Sequence, residues 1–351
     1  MRLTEKQHLA IKRVSEYALK HSNNNNDLIK RILYHSNVDH NIFSTFQNNL
    51  TKHSRIALHF HPDRLTPHGF TVINGLKESG LYKNQFETNI SDGSVSAFLG
   101  GDRDRWETEI FHGAYVEAQP VERPKYGALN LTLTEDGPSP RFGSCYFLLK
   151  PQVKERATFV YGDSHQLPRE YGTIKEFEMI HSALLNDLFI RGTAVGQNNV
   201  RVRDFLELVN MLLASPSDLT KLREHSKNLD FYIEAQVHGE ISLKNDVDYL
   251  VADFSFIGTD IADKMELLCD EYRIKLIWNS GLKLKVEDFP FDFRGATVPK
   301  FASEISENGV VTAHLIGKAS KQHGNKSESL QILKYLWHCL VRFGEKMNEN
   351  N

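Results

Sequence analysis

Cysteine is scarce: Cys145, Cys269 and Cys339 are the three in 351 residues. They stand too far apart for a disulfide framework or a CxxC metal pair, and point to a reducing compartment. Long apolar runs are missing too, so no membrane-spanning helix is expected. The opening stretch MRLTEKQHLAIKRVSEYALK is charged throughout and lacks the apolar centre of a signal peptide. Export by a system that reads no cleaved signal stays open. Neither sign of charge dominates: 42 Lys and Arg stand against 45 Asp and Glu, a net charge of −3. Neither nucleic acid nor an anionic membrane is therefore an expected partner, although a local basic patch is compatible with that balance. No GxGxxG or P-loop pattern occurs, which leaves kinase and Rossmann readings without support.

What is present suits a soluble globular chain, with 40% hydrophobic and 25% charged residues. The length is enough for one large domain or two modest ones. The first fifty residues read as helices, broken at the run Asn23 to Asn26. A strand is predicted at 55–60, ending before Pro62, and a short helix at 71–77, closed by Ser79-Gly80. The middle is punctuated by turns at Asp92-Gly93, Gly100-Gly101 and Asp136-Gly137-Pro138. Between them lie short candidate strands at 127–133, 144–149 and 157–161. Helices are predicted at 174–189 and 202–214, the second stopped by Ser215-Pro216, and a strand at 231–237. A last helix spans 327–346. Strands in clusters, without regular alternation with helices, give an α+β class.

Four segments concentrate chemistry. Along Tyr232-Ile233-Glu234-Ala235-Gln236-Val237-His238, period two puts Tyr232, Glu234, Gln236 and His238 on one face and the apolar residues on the other. That polar face lines a cleft or simply meets solvent. Along Ile56 to Arg64, His59, His61 and Asp63 share a face opposite Ile56, Leu58 and Phe60. An H-x-H at a strand end suits a divalent metal, or presents one His and one Arg to a substrate, or packs inward. The stretch Gln85 to Gly93 gathers hydrogen-bonding side chains. The segment Gly100 to Glu107, rich in acids and bases, reads either as a loop laced by salt bridges or as a loop with a binding role.

Six pieces in order, LHFHPDR (58–64), YKNQFETNIS (82–91), RPKYGALNL (123–131), RFGSCYFLL (141–149), RATFVYGDS (156–164) and YIEAQVHGEISL (232–243), resemble a bacterial family. It was formerly catalogued as a domain of unknown function and includes Legionella-type effector ADP-ribosyltransferases. The pieces RPKYGALNL, RATFVYGDS and EAQVHG are also similar to polymorphic bacterial ADP-ribosyltransferase toxins. The resemblance covers residues 50 to 260. It implies an ADP-ribosyltransferase-like split β-sandwich with flanking helices, and a cleft that holds NAD bent. The organisation expected is a helical preface at 1–50, a catalytic core at 51–265 and an α/β extension at 266–351 ending in a helix.

The resemblance further implies mono-ADP-ribosylation of a protein side chain, with NAD as substrate, no metal, and NAD hydrolysis as a side activity. Glu234 matches the catalytic carboxylate. Tyr126 is the second catalytic candidate, placed to stack on nicotinamide. His61, Arg64, Arg123, Thr158, Ser164 and Gln236 are expected to bind NAD, with the first-strand ligand open between His61, Arg64 and Arg123. Arginine is the favoured acceptor, although Tyr232 stands where arginine-modifying members carry an acid. The partner would be a protein substrate, a host protein among the options. The setting would be the bacterial cytoplasm before export, with delivery to a host cytosol as an option. Two rivals remain: a metal-dependent hydrolase using His59 and His61, and a catalytically inactive NAD-binding module.

Overall fold

Alternation of side chains across one central sheet sets the layout of the computed structural model, which describes residues 2–90, 97–214, 222–323 and 327–348. The turn at Asp92-Gly93 and the helix stop at Ser215-Pro216 lie outside the described residues. The strands are β1 (Arg55–Phe60), β2 (Leu81–Tyr82), β3 (Lys125–Asn130), β4 (Cys145–Leu149), β5 (Ala157–Tyr161), β6 (Tyr171–Thr173), β7 (Ile233–Val237), β8 (Ile241–Ser242), β9 (Val247–Ala252) and β10 (Lys275–Trp278). Eight form one sheet in the order β10-β9-β4-β1-β3-β7-β5-β6, antiparallel except for the β9–β10 pair. The class is α+β, and the strands expected of a split β-sandwich are hydrogen-bonded here into that continuous sheet. β2 pairs with β8, and a third sheet joins β11 (Leu282–Lys285), β12 (Val310–Thr312) and β13 (Glu345–Lys346).

The helices are α1 (Glu5–His35), α2 (His40–His53), α3 (Val72–Ser79), α4 (Gln85–Thr88), α5 (Asp102–Ile110), α6 (Glu178–Arg191), α7 (Val202–Ala214), α8 (Leu243–Asp246), α9 (Asp260–Tyr272), α10 (Thr297–Ile305), α11 (Ala313–His323) and α12 (Ser327–Phe343). α3 begins after Thr71 and ends at Gly80, whose φ of 63° is the left-handed cap that glycine adopts without strain. α1 runs unbroken through the Asn run. Asn25 donates to the His21 carbonyl one turn back (2.8 Å) and accepts from the Ser182 hydroxyl of α6, so packing overrides weak propensity. A capping box between Thr4 and Gln7 starts this helix. The expected loop at Gly100 to Glu107 is instead the start of α5. Gly101 caps it, and Asp102 and Asp104 in the first turn complement the helix dipole. α12 stops at Phe343, and Glu345–Lys346 form β13 against β11.

One face of the sheet is apolar: Ile56, Leu58 and Phe60, Phe147 and Leu149, Phe159, Ile233, Ala235 and Val237. They join a cluster running from Ile29 to Val341, so the preface, core and extension share one interior. Each fully buried Leu or Phe there contributes about 1.5–3 kcal/mol. The opposite face is divided. Ala57, Tyr146, Leu148, Tyr249 and Val251 make an apolar patch on β1, β4 and β9. Val160 and Tyr171 make another on β5 and β6 with Ala10, Val14, Trp106 and Tyr115. Between the two patches lie β3 and β7, which on this face carry Tyr126, Glu234 and Gln236, with the small Ala128 beside Glu234. The candidate site is there.

Candidate active site

A cleft of about 680 Å³ opens over this polar strip, within the range usual for small-molecule sites. Glu234, Tyr126, Asp163, Ser164, Arg103, His61, Arg64 and Arg141 are among its lining residues. The sheet register explains the grouping. Gln236 on β7 lies opposite Tyr126 on β3 and Thr158 on β5, while Glu234 lies opposite Ala128 and Val160. Small or apolar neighbours beside Glu234 leave its carboxylate reaching the cleft.

Glu234 is 6% exposed. Its Oε1 accepts from Gln236 Nε2 at 2.7 Å, and its Oε2 accepts from the Ser164 backbone N–H at 3.4 Å. Burial pushes its carboxyl up from 4.5 to about 7, helped by the charge of Asp163 and opposed by the Ser164 and Gln236 hydrogen bonds and by Arg103. Near neutral pH, then, both protonation states are accessible, as general acid–base and charge-stabilising carboxylates require.

Around it, Tyr232 donates its hydroxyl to Asp163 Oδ2 at 2.9 Å, so an acid stands beside Glu234 without occupying position 232. The Arg103 guanidinium stacks 4.5 Å over the Tyr126 ring and 4.7 Å over Trp106. One face of Tyr126 is thus covered, and its hydroxyl donates to Glu107 Oε1 at 2.9 Å. On the side of α11 and α12, His61, Arg64, Arg141 and Lys334 line both the cleft and a recess of about 40 Å³. His61 meets Trp337 edge-on at 5.4 Å, and Arg141 pairs with Asp230 at 2.9 Å.

Of the expected NAD contacts, His61, Arg64 and Ser164 line the cleft and three do not. Arg123 is 1% exposed and committed to Glu107 (2.9 Å) and Asp104 (2.5 Å), with Phe86 stacked 4.7 Å away. Charge in the sequence marks a cation but not its partner. Thr158 and Gln236 are buried beneath the cleft and bonded to each other, Thr158 Oγ1 donating to Gln236 Oε1 at 2.9 Å. Gln236 in turn bonds Glu234, and neither Thr158 nor Gln236 lines the cleft.

His59 also departs from its metal-ligand option. Its Nδ1 donates to the Gly143 carbonyl (3.1 Å) and its Nε2 accepts from the Ser139 N–H (3.4 Å), so both ring nitrogens are spent. Gly143 makes this possible, because a Cβ there would come within 2.3 Å of the Phe60 backbone. Among the described residues no group of three or more His, Cys, Asp or Glu is arranged to hold a metal ion. Nor is any described helix long and apolar enough to cross a membrane.

Comparison with known families identifies a match over residues 55–343 to the family described as "Protein of unknown function (DUF3626)". The chain belongs to the DUF3626 family. The match runs past residue 265 and takes in β10 and α12, in keeping with the shared interior. Comparison with curated proteins finds no match.

Reading the residues alone missed Arg103, Asp163, Arg141 and Lys334. Asp163 carried a signal, the turn-forming GDS at the end of a strand. Arg103 was hidden by reading its helix as a loop. Lys334 comes from the far end of the chain, beyond any local pattern.

Proposed function

We propose that this DUF3626 protein is a mono-ADP-ribosyltransferase that cleaves NAD and transfers ADP-ribose to a protein side chain, arginine being the favoured acceptor. The observation that carries the reading is Glu234: a carboxylate at the edge of burial, held by neutral donors and facing a cleft large enough for a dinucleotide. The bond from the ribose C1′ to the nicotinamide nitrogen breaks, and the electron pair leaves with nicotinamide. The acceptor nitrogen bonds to C1′ and releases its proton to solvent. Ionised Glu234 is worth most against the positive charge that grows on the ribose, in the manner of glycosidase carboxylates.

The donor set fits the rest of the substrate. Guanidinium groups of Arg64 and Arg141 suit phosphate oxygens, and the Trp106 and Tyr126 rings beside Arg103 offer planar surface. Asp163, joined to Tyr232, supplies an acid near Glu234 where an acceptor guanidinium could be oriented. The spent nitrogens of His59 remove the main support for the metal-dependent hydrolase.

The test is NAD cleavage and intact-mass analysis of lysate proteins with the parent and Glu234→Gln. The variant keeps shape and loses charge, so turnover falls about a hundredfold or more while NAD affinity stays within a few-fold. Equal turnover in parent and variant sinks the assignment, and an inert parent that still binds NAD moves the reading to a binding module.

A further inference from the structure

Beneath Glu234 runs a line of four buried polar side chains drawn from three separate parts of the chain. We propose that Tyr115, His238, Thr158 and Gln236 form a one-way hydrogen-bond chain that fixes the orientation of the Glu234 carboxylate and delivers donor polarity to its Oε1. They are positioning residues, and their bearing on turnover rests on Glu234 being the reacting carboxylate of the proposed transferase.

The directions follow by elimination from the carboxylate backwards. An ionised Glu234 can only accept, so Gln236 presents Nε2 to it at 2.7 Å and turns Oε1 away. That Oε1 can only accept, so the Thr158 hydroxyl donates to it at 2.9 Å. With its proton spent, Thr158 Oγ1 accepts from His238 Nε2 at 3.1 Å, which places the imidazole proton on Nε2. His238 Nδ1 is then an acceptor, and the Tyr115 hydroxyl donates to it at 2.6 Å. Every donor points toward Glu234. Hydrogen bonds aligned head to tail polarise one another, and low dielectric strengthens the effect.

Neutrality of the intermediate groups keeps the direction fixed. Burial drives the His238 imidazole down to about 3, with Arg156 and Lys125 adding to it, so the ring stays neutral. Burial likewise keeps the Tyr115 phenol protonated, Glu107 and Glu122 acting with it and Arg123 against it. All five side chains are buried. Glu234 itself is faced by Asp163, Arg103, Tyr126 and Tyr232, none of which belongs to the chain. Removing a link therefore changes the donor at Oε1 and leaves those charges in place.

The experiment follows Glu234 directly, by carboxyl carbon-13 NMR titration, with Glu234→Gln assigning the resonance. The same variants then give turnover against pH. A donor to the charged form lowers the midpoint, so its loss raises it. Thr158→Val keeps shape, frees the Gln236 amide, and should raise the midpoint by about one unit. The acid limb of turnover moves up with it, while Thr158→Ser restores both. Tyr115→Phe, three bonds away from Gln236, should raise it by roughly 0.3 unit. A Thr158→Val midpoint equal to the parent's overturns the chain. If that variant does not fold, Tyr115→Phe decides, and no shift there overturns it. A parent that fails to cleave NAD but shows the graded midpoints removes the transferase reading and keeps the chain. Normal cleavage with flat midpoints does the reverse.

Discussion

Two buried carboxylates on the polar side of the sheet, Glu107 and Glu234, are neutralised in opposite ways. Glu107 is fully buried and bonded to a cation, Arg123, with the Tyr126 hydroxyl on its other oxygen. Among the described residues Glu234 has no ion-pair partner in contact, and it is held by an amide and a backbone N–H. Burial pushes both carboxyls up. A guanidinium answers the first from within the fold. For the second, the fold supplies dipoles in direct contact, the Arg103 charge acting without a bond, and leaves the remaining space to whatever enters the cleft. An internally paired carboxylate supports architecture, whereas one held by dipoles beside open space is the better candidate for chemistry.

The largest expected effect breaks the first site. Arg123→Met leaves Glu107 buried without its cation, and losing one partner of such a pair costs about 3–5 kcal/mol. Chemical denaturation should show that loss. The folded fraction should keep its Michaelis constant for NAD within about twofold, because Arg123 touches no cleft surface. A stable variant with a much weaker grip on NAD would restore Arg123 to the ligand site.

The next expectation concerns Glu234, where the sign is opposite. Its carboxyl is raised from 4.5 to about 7, so between those values the folded chain keeps a proton that the unfolded chain gives up. The stability tied to that proton is complete below pH 4.5 and is lost as pH rises through 7. Glu234→Gln has no proton to lose. It should melt higher than the parent at pH 8, by an amount on the order of 3 kcal/mol at most, and no higher near pH 4.5. Equal melting at pH 8 means the carboxylate is not strained by burial, and the contrast with Glu107 collapses. Loss of turnover together with gain of stability is the pattern of a functional residue.

How far the sequence foretold this follows from what each inference used. Period two along β1 and β7 needs only local geometry, so the inward apolar residues and the polar face of Glu234 and Gln236 were legible. The cap at Gly80 was legible for the same reason. The unbroken α1 was not, since Asn25 is held by Ser182, a residue 157 positions away. Arg123 was expected to be a ligand from the resemblance, and its partners Glu107 and Asp104 could not be foreseen because they sat in a stretch read as a loop. The chain beneath Glu234 draws on residues from 115 to 238, which meet only once β7 and β5 are in register and the segment of Tyr115 packs on them.

Within the cleft, Arg64 offers a smaller effect that sharpens the division between ligand site and scaffold. Arg64→Lys keeps the charge and loses the planar fork that matches phosphate oxygens. The Michaelis constant for NAD should rise about fivefold, with turnover at saturation unchanged, as expected for lost uniform binding. Arg123→Lys in parallel should lower stability and leave that constant alone. A fall in saturated turnover with Arg64→Lys would instead tie Arg64 to the chemical step.

The smallest effect is expected at His59, the neighbour of His61 that also lines the cleft but whose ring nitrogens are both bonded within the protein. Its imidazole is buried and driven down to about 3, chiefly by burial, the Gly143 hydrogen bond raising it and His61 lowering it. It is therefore a neutral spacer linking β1 to the turn at Ser139 and Gly143. His59→Gln retains an amide able to donate and accept in the same region. It should cost about 1–2 kcal/mol, one imperfect buried hydrogen bond, and leave kcat/KM for NAD within twofold. The difference should also depend on pH. The unfolded parent gains a proton near 6.5 that the folded parent refuses until about 3, so the parent's stability falls with pH across that window. The variant lacks that penalty, and the gap between the two should narrow or reverse as pH drops from 7 to 4. Elemental analysis completes the test. A divalent metal bound one to one in the parent and lost together with activity in His59→Gln would mean that His59 turns outward and that the hydrolase reading, not the transferase, describes the cleft.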